Sequence, residues 1–165
     1  MKKINYTIGI VTVLCTFLFM YSCEDDEEIC EEGTTARLVI RFYDGATGQA
    51  TKKSGVFSTS EFSDITFSSQ DSIQIPLSLK NSMDTLFYKA SVDAQEIDTI
   101  TLSFTRTEEY VSKGCGFKVN YTEVNAALGA TSKILKKWEW NPKLIDTNNE
   151  ITITDEAEAH MFIYF

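Results

Sequence analysis

The sequence predicts an all-β protein: an antiparallel β-sandwich of about seven to nine short strands, with an open β-barrel as the alternative. Three observations carry this reading. Apolar and polar residues alternate with period two through most of the chain after Thr35. Turn residues interrupt that alternation at spacings of about ten residues. Only residues 126–137 have helical character, and Gly129 weakens it. No Rossmann or P-loop glycine pattern and no internal repeat is present.

The strands follow in order. Leu38, Ile40 and Phe42 alternate with Arg37, Val39, Arg41 and Tyr43 and predict a half-buried strand, stopped by Asp44-Gly45 and Thr47-Gly48. A weak strand is expected over residues 55–59, and Ile65 and Phe67 begin the next. Gln70-Asp71 turns the chain into Ile73, Ile75, Leu77 and Leu79, with Pro76 on the opposite face predicting a sheet edge or a bulge. A polar loop over 81–84 leads to a strand over 86–92. Ile100, Leu102 and Phe104 alternate with threonines and serine, which suit strands. Cys115, Phe117, Val119 and Tyr121 alternate next, with Gly114 and Gly116 marking a bulge or a close backbone approach. Trp138-Glu139-Trp140 is extended, and Asn148-Asn149 turns toward Ile151 and Ile153. The end, His160-Met161-Phe162-Ile163-Tyr164-Phe165, is apolar on both faces and predicts a central strand.

The first residues read as an address. Lys2 and Lys3 precede a 13-residue, almost wholly apolar run over 8–20. That length suits a signal-peptide core and falls short of the ~20 residues a spanning helix needs. Tyr21-Ser22-Cys23 follows and resembles the lipobox of bacterial lipoproteins, with Tyr21 where a small residue is usual. The implied organisation is a signal peptide over 1–22, an acidic tether over 23–34 after a lipidated Cys23, and a single β-sandwich domain over 35–165. Acyl chains contribute about 0.8 kcal/mol per buried methylene, so two or three of them anchor durably. The alternatives are a plain secretory peptide or an uncleaved anchor helix.

The whole chain carries a net charge of −9. Seven acids crowd into residues 24–32, so the charge is concentrated in the tether, which should stay extended and solvated. Within it, Cys23 followed by Glu24, Asp25, Asp26, Glu27 and Glu28 resembles the signal that exports Bacteroidota lipoproteins to the outer face of the outer membrane. The acidic balance argues against nucleic acid, whose binding rests on neutralising phosphates.

Cys15 falls in the removed peptide and Cys23 carries lipid, which leaves Cys30 and Cys115. In an oxidising compartment a disulfide is the default for such a pair. Closing a loop of about 85 residues is worth roughly 4.6 kcal/mol at most. A reactive or metal-binding thiol pair is the competing reading, although two cysteines without a nearby third ligand make a poor zinc site.

Four stretches resemble a family of small Bacteroidota lipoproteins classed as a domain of unknown function. They are Ile29-Cys30-Glu31; Leu38-Val39-Ile40-Arg41-Phe42-Tyr43-Asp44; Ser72-Ile73-Gln74-Ile75-Pro76-Leu77; and Tyr110-Val111-Ser112-Lys113-Gly114-Cys115-Gly116-Phe117-Lys118-Val119. The ending from Ala159 to Phe165 resembles that family's last strand. The resemblance implies a lipid-anchored all-β domain with a Cys30–Cys115 pair and carries no activity with it.

Candidate chemistry is sparse. His160, the single histidine, would have to serve any Ser-His-Asp triad, but it lies in an aromatic strand and reads as a packed structural residue. Glu108-Glu109 and Asp155-Glu156 are sequence neighbours that point to opposite faces of a strand, poor geometry for a glycosidase pair. The 146–150 segment lacks the glycine and the final glutamate of a calcium loop and reads as a hairpin turn. Arg41 is expected to pair with an acid across the sheet or to bind an anionic ligand. Trp138 and Trp140 share one face of an extended segment and would either close the core or stack on sugars. Asp71-Ser72-Ile73, Asp84-Thr85-Leu86 and Asp98-Thr99-Ile100 resemble Bacteroidota O-glycosylation sites.

The expectation is a non-catalytic outer-membrane lipoprotein without metal or cofactor. It would be held by its lipid on the surface or periplasmic side and would meet an envelope protein or glycan partner. The alternative is a carbohydrate-binding module using Trp138 and Trp140.

Overall fold

The computed structural model describes residues 34–165. The expected signal peptide over 1–22, Cys23, the acidic run Glu24, Asp25, Asp26, Glu27 and Glu28, and Cys30 lie outside the described residues. Nine strands and no helix are found among the described residues: β1 (Leu38–Tyr43), β2 (Lys53–Ser58), β3 (Ile65–Gln70), β4 (Ser72–Ile75), β5 (Met83–Lys89), β6 (Asp98–Ser112), β7 (Gly116–Leu128), β8 (Lys137–Trp140) and β9 (Met161–Tyr164). They form a four-stranded sheet, β4-β1-β9-β8, and a five-stranded sheet, β3-β2-β5-β6-β7.

Each sheet turns one set of alternating side chains inward. Leu38, Ile40 and Phe42 of β1, Ile73 and Ile75 of β4, and Met161 and Ile163 of β9 meet Phe57, Phe67, Leu86, Ile100, Leu102 and Tyr121 from the other sheet. Phe42 stacks on Phe67 with ring centroids 5.2 Å apart, and Phe67 on Phe57 at 5.8 Å, so aromatic contact bridges the layers. β9 is interior to its sheet, as its two apolar faces predict. Pro76 comes directly after β4, an edge strand, where a missing N–H is harmless.

Two expectations need correction. The sheets are not wholly antiparallel: β1 and β9 run parallel, with Ile40 opposite Met161 and Phe42 opposite Ile163. Parallel neighbours cannot be joined by a hairpin, and here nearly the whole domain separates the two strands. The helix expected over 126–137 does not form. Residues through Leu128 continue β7, and Gly129 then turns with its N–H donating to Thr99 O at 2.8 Å. A Cβ at Gly129 would lie 2.3 Å from Thr99 Oγ1.

The reason is a bulge. Ser103 faces Asn125 while Thr105 faces Thr122, so β7 carries one extra residue there. Glu123 takes a φ of 54° at that point, and its carboxylate accepts the Thr105 hydroxyl at 2.6 Å. The inward set therefore changes from Val119 and Tyr121 to Val124, Ala126 and Leu128. The parity change hides the strand in the sequence and makes its second half look helical.

The excursion between β8 and β9 ties the sheets together. Tyr121 and Ile153 exchange two backbone hydrogen bonds, at 3.2 and 2.8 Å, and Val124 N–H reaches Ile151 O at 3.1 Å. This covers the free edge of β7, which would otherwise invite pairing with another chain.

Candidate functional site

Outward-facing residues of the four-stranded sheet form an aromatic and charged face. Arg41 and Tyr43 point out from β1, Phe162 and Tyr164 from β9, and Lys137 and Glu139 from β8, because each lies out of phase with a neighbour that is buried or packed against the core. Tyr43 contacts Phe162 and Tyr164, with ring centroids 5.1 and 5.3 Å away. The Tyr164 hydroxyl donates to Glu139 Oε2 at 2.9 Å. Lys137 pairs with Glu139 and sits 5.1 Å above the Tyr164 ring. The Lys137 ammonium, and then the Tyr164 hydroxyl, hold the Glu139 carboxyl below its usual range. Burial, then Glu139, pushes the Tyr164 phenol up.

Arg41 lacks the cross-strand acid expected for it. Its partners across the sheet are Ser72 on one side and Phe162 on the other. The exposed guanidinium forms no salt bridge and no side-chain hydrogen bond among the described residues. It opens into a cleft of about 500 Å³ lined also by Tyr43, Phe162, Asn141, Pro142, Lys143 and Glu158. Asn141 is buried and fully engaged: its amide donates to Ala159 O at 2.8 Å, and its oxygen accepts Lys143 N–H at 3.1 Å. Lys143 Nζ lies 4.0 Å from Glu158.

Trp138 and Trp140 face the other way. They lie opposite Ile163 and Met161, on the inner side of the sheet, and pack edge-to-face at 5.3 Å against the core margin. The outward-facing aromatics of this sheet are instead Tyr43, Phe162 and Tyr164, each half-buried, while the most exposed rings among the described residues, Tyr110 and Phe117, lie at the β6–β7 turn. Tyr43 could have been found in the sequence from its shared parity with Arg41. Phe162 and Tyr164 were hidden because an interior strand apolar on both faces looks wholly buried.

The other candidate acids and His160 are engaged with backbone or with neighbouring cations. Glu156 grips Arg37 through two contacts of 2.8 Å, and that guanidinium keeps its carboxyl below the usual range. Glu108 and Glu109 pair outward with Arg106 at 3.5 Å and Lys118 at 3.3 Å. Asp84 accepts Ser78 N–H at 3.0 Å, Thr85 N–H at 2.8 Å and the Ser60 hydroxyl at 2.7 Å. Asp146 accepts the N–H groups of Asn148 and Glu150 at 2.9 and 2.8 Å, making the expected turn. No group of three metal-ligating side chains is found among the described residues.

His160 is only 2% exposed, and its Nδ1 accepts Val39 N–H at 3.0 Å, so its proton resides on Nε2. Burial pulls its pKa below the ordinary 6.5, against the opposing pull of Asp155 and Glu156. A base depressed in the folded state binds its proton first in the unfolded chain. Its contribution is therefore full above pH 6.5 and declines as pH falls below that value. Denaturant unfolding at pH 7.5 and 5.0 should show lower stability at pH 5.0, with a flatter pH slope in His160→Leu.

A second cavity, about 610 Å³, opens at the end of the sandwich under the β6–β7 turn and is lined by Thr34, Phe62, Leu79, Val111, Cys115 and Phe117. Cys115 is half-buried there, its N–H donating to Ser112 Oγ at 3.1 Å. Thr35 Oγ1 accepts Val119 N–H at 2.8 Å, which docks the incoming chain beside β7.

Fold and site define a two-sheet all-β domain with a basic, aromatic-walled cleft on one outer face. The chain belongs to the family of unknown function DUF6452, whose model matches residues 56–165. No curated protein and no solved structure matches it.

Proposed function

We propose that the protein is an outer-membrane lipoprotein, fixed by lipid on Cys23, whose β-domain is a non-catalytic binding module for an envelope partner. The observation that carries this is the order of parts. An apolar run over 8–20 leads to Cys23, five acids follow at once, and a two-sheet domain begins about a dozen residues later. In support of the non-catalytic reading, His160, Asp84 and Glu156 are occupied in holding backbone or a neighbouring arginine. The acids Glu24, Asp25, Asp26, Glu27 and Glu28 would act as the export signal.

The same reading pairs Cys30 with Cys115. Cys30 lies four residues before Thr34, a reach of about 14 Å at most, and Thr34 lines the same cavity as Cys115.

Cell fractionation tests the anchor. Wild-type chain should partition with membranes, and Cys23→Ser should move most of it to the soluble fraction; a variant that stays with membranes would overturn lipid anchoring. Protease accessibility on intact cells, with residues 24–28 intact or replaced by serine, distinguishes surface from periplasmic display.

A glycan partner is the second reading. The solvent-facing rings Tyr43, Phe162 and Tyr164 favour it, rather than Trp138 and Trp140, whose side chains pack toward the core.

A further inference from the structure

We infer that the Arg41 cleft binds an acidic saccharide, a sugar ring bearing a carboxylate or a sulfate. The inference rests on the binding-module reading above and names the ligand class for it.

The first argument is unspent hydrogen-bonding capacity. A guanidinium offers five N–H donors in a planar fork that matches a carboxylate or sulfate edge. Arg37, on the same strand side, already spends its fork on Glu156. Arg41 has Ser72 and Phe162 as its cross-strand neighbours and keeps its donors for solvent. The Tyr43 hydroxyl also makes no hydrogen bond among the described residues. Asn141, by contrast, is saturated and acts as a fixed wall.

The second argument is the sign of the cleft. Arg41 and Lys143 face it with Glu158 as its carboxylate, so cations outnumber anions in a chain whose net charge is −9. Lys143 is loosely held at 4.0 Å from Glu158 and can turn toward a ligand. Glu139 lies one strand beyond Phe162 on the row of Arg41 and is engaged by Lys137 and Tyr164, so it does not quench the site.

The third argument separates a sugar from a bare anion. Tyr43 and Phe162 wall the cleft beside Arg41, and Tyr164 continues the row through Tyr43. Aromatic faces beside a charged fork suit a ring with an apolar face and an acidic substituent. A free phosphate would use the fork and leave the rings idle.

The full lipidated chain, purified in detergent micelles, would be titrated calorimetrically with tetragalacturonate and a sulfated chondroitin tetrasaccharide. Cellotetraose and inorganic phosphate serve as comparisons. At least one acidic oligosaccharide should bind, more weakly at high salt. Its affinity should fall tenfold or more in Arg41→Gln and in Tyr43→Leu and remain unchanged in Trp138→Phe. Arg41 is exposed, so Arg41→Gln should fold normally. The inference is overturned if neither acidic oligosaccharide binds, if cellotetraose or phosphate binds as tightly, or if Arg41→Gln binds like wild type. None of those outcomes touches the anchoring test, so the two readings fail separately.

Discussion

Replacing Asp98 by alanine should lower the free energy of unfolding by about 3–5 kcal/mol, among the largest effects of any single substitution in the domain. Asp98 opens β6 and is 1% exposed. Its carboxylate accepts three successive backbone N–H groups, from Lys133 at 2.9 Å, Ile134 at 2.7 Å and Leu135 at 2.6 Å. Those bonds fasten the 129–136 loop that carries the chain from one sheet to the other. Without them the Leu135 N–H is buried and unpaired, and hydrogen bonds to a charged acceptor are the stronger kind. Asp98→Asn keeps one acceptor oxygen and sets an amide donor against the remaining N–H groups, so it should recover little. Asp146 offers the comparison. It also accepts successive backbone N–H groups, but on an exposed turn where water can replace it. Asp146→Ala should cost about 1 kcal/mol or less. Chemical denaturation of the three variants checks this, and equal losses at the two aspartates would defeat the burial argument.

On the proposed Cys30–Cys115 pairing, Cys115→Ser should cost about 2–5 kcal/mol by freeing a loop of about 85 residues in the unfolded chain. For a chain of this size that is a fall in Tm of about 10 °C. Cys30→Ser should cost as much, and the double variant no more than either single one, because the two thiols act as one constraint. Intact mass before and after reduction gives an independent reading, a gain of two hydrogens. Additive losses, or no mass change, would reject the pairing and return Cys30 to the tether as an ordinary residue.

Much of the domain is legible without coordinates because its chemistry is local. A strand with one buried face must alternate, so β1, β4, the first half of β6 and the first half of β7 are each written in their own residues. Glycine and asparagine mark the turns for an equally local reason. The outward position of Arg41 and Tyr43 follows from the same parity. Structure is not legible where parity is reset or where a contact comes from far along the chain. The extra residue at Glu123 shifted the inward set of β7 by one, to Val124, Ala126 and Leu128, and the last two fall in the stretch expected to be helical.

Sequence by itself determined the all-β class, most strand positions and the structural character of His160, since each depends on nearest neighbours and on side-chain period. Tertiary structure decided the parallel pairing of β1 with β9, the inward turn of Trp138 and Trp140, and the assembly of Arg41, Tyr43, Phe162 and Lys143 around one cleft. Those residues come from positions up to about 120 apart. No local propensity links them: they meet only because burying both sheets against one core fixes which strands become neighbours, and hence which outward side chains share a face.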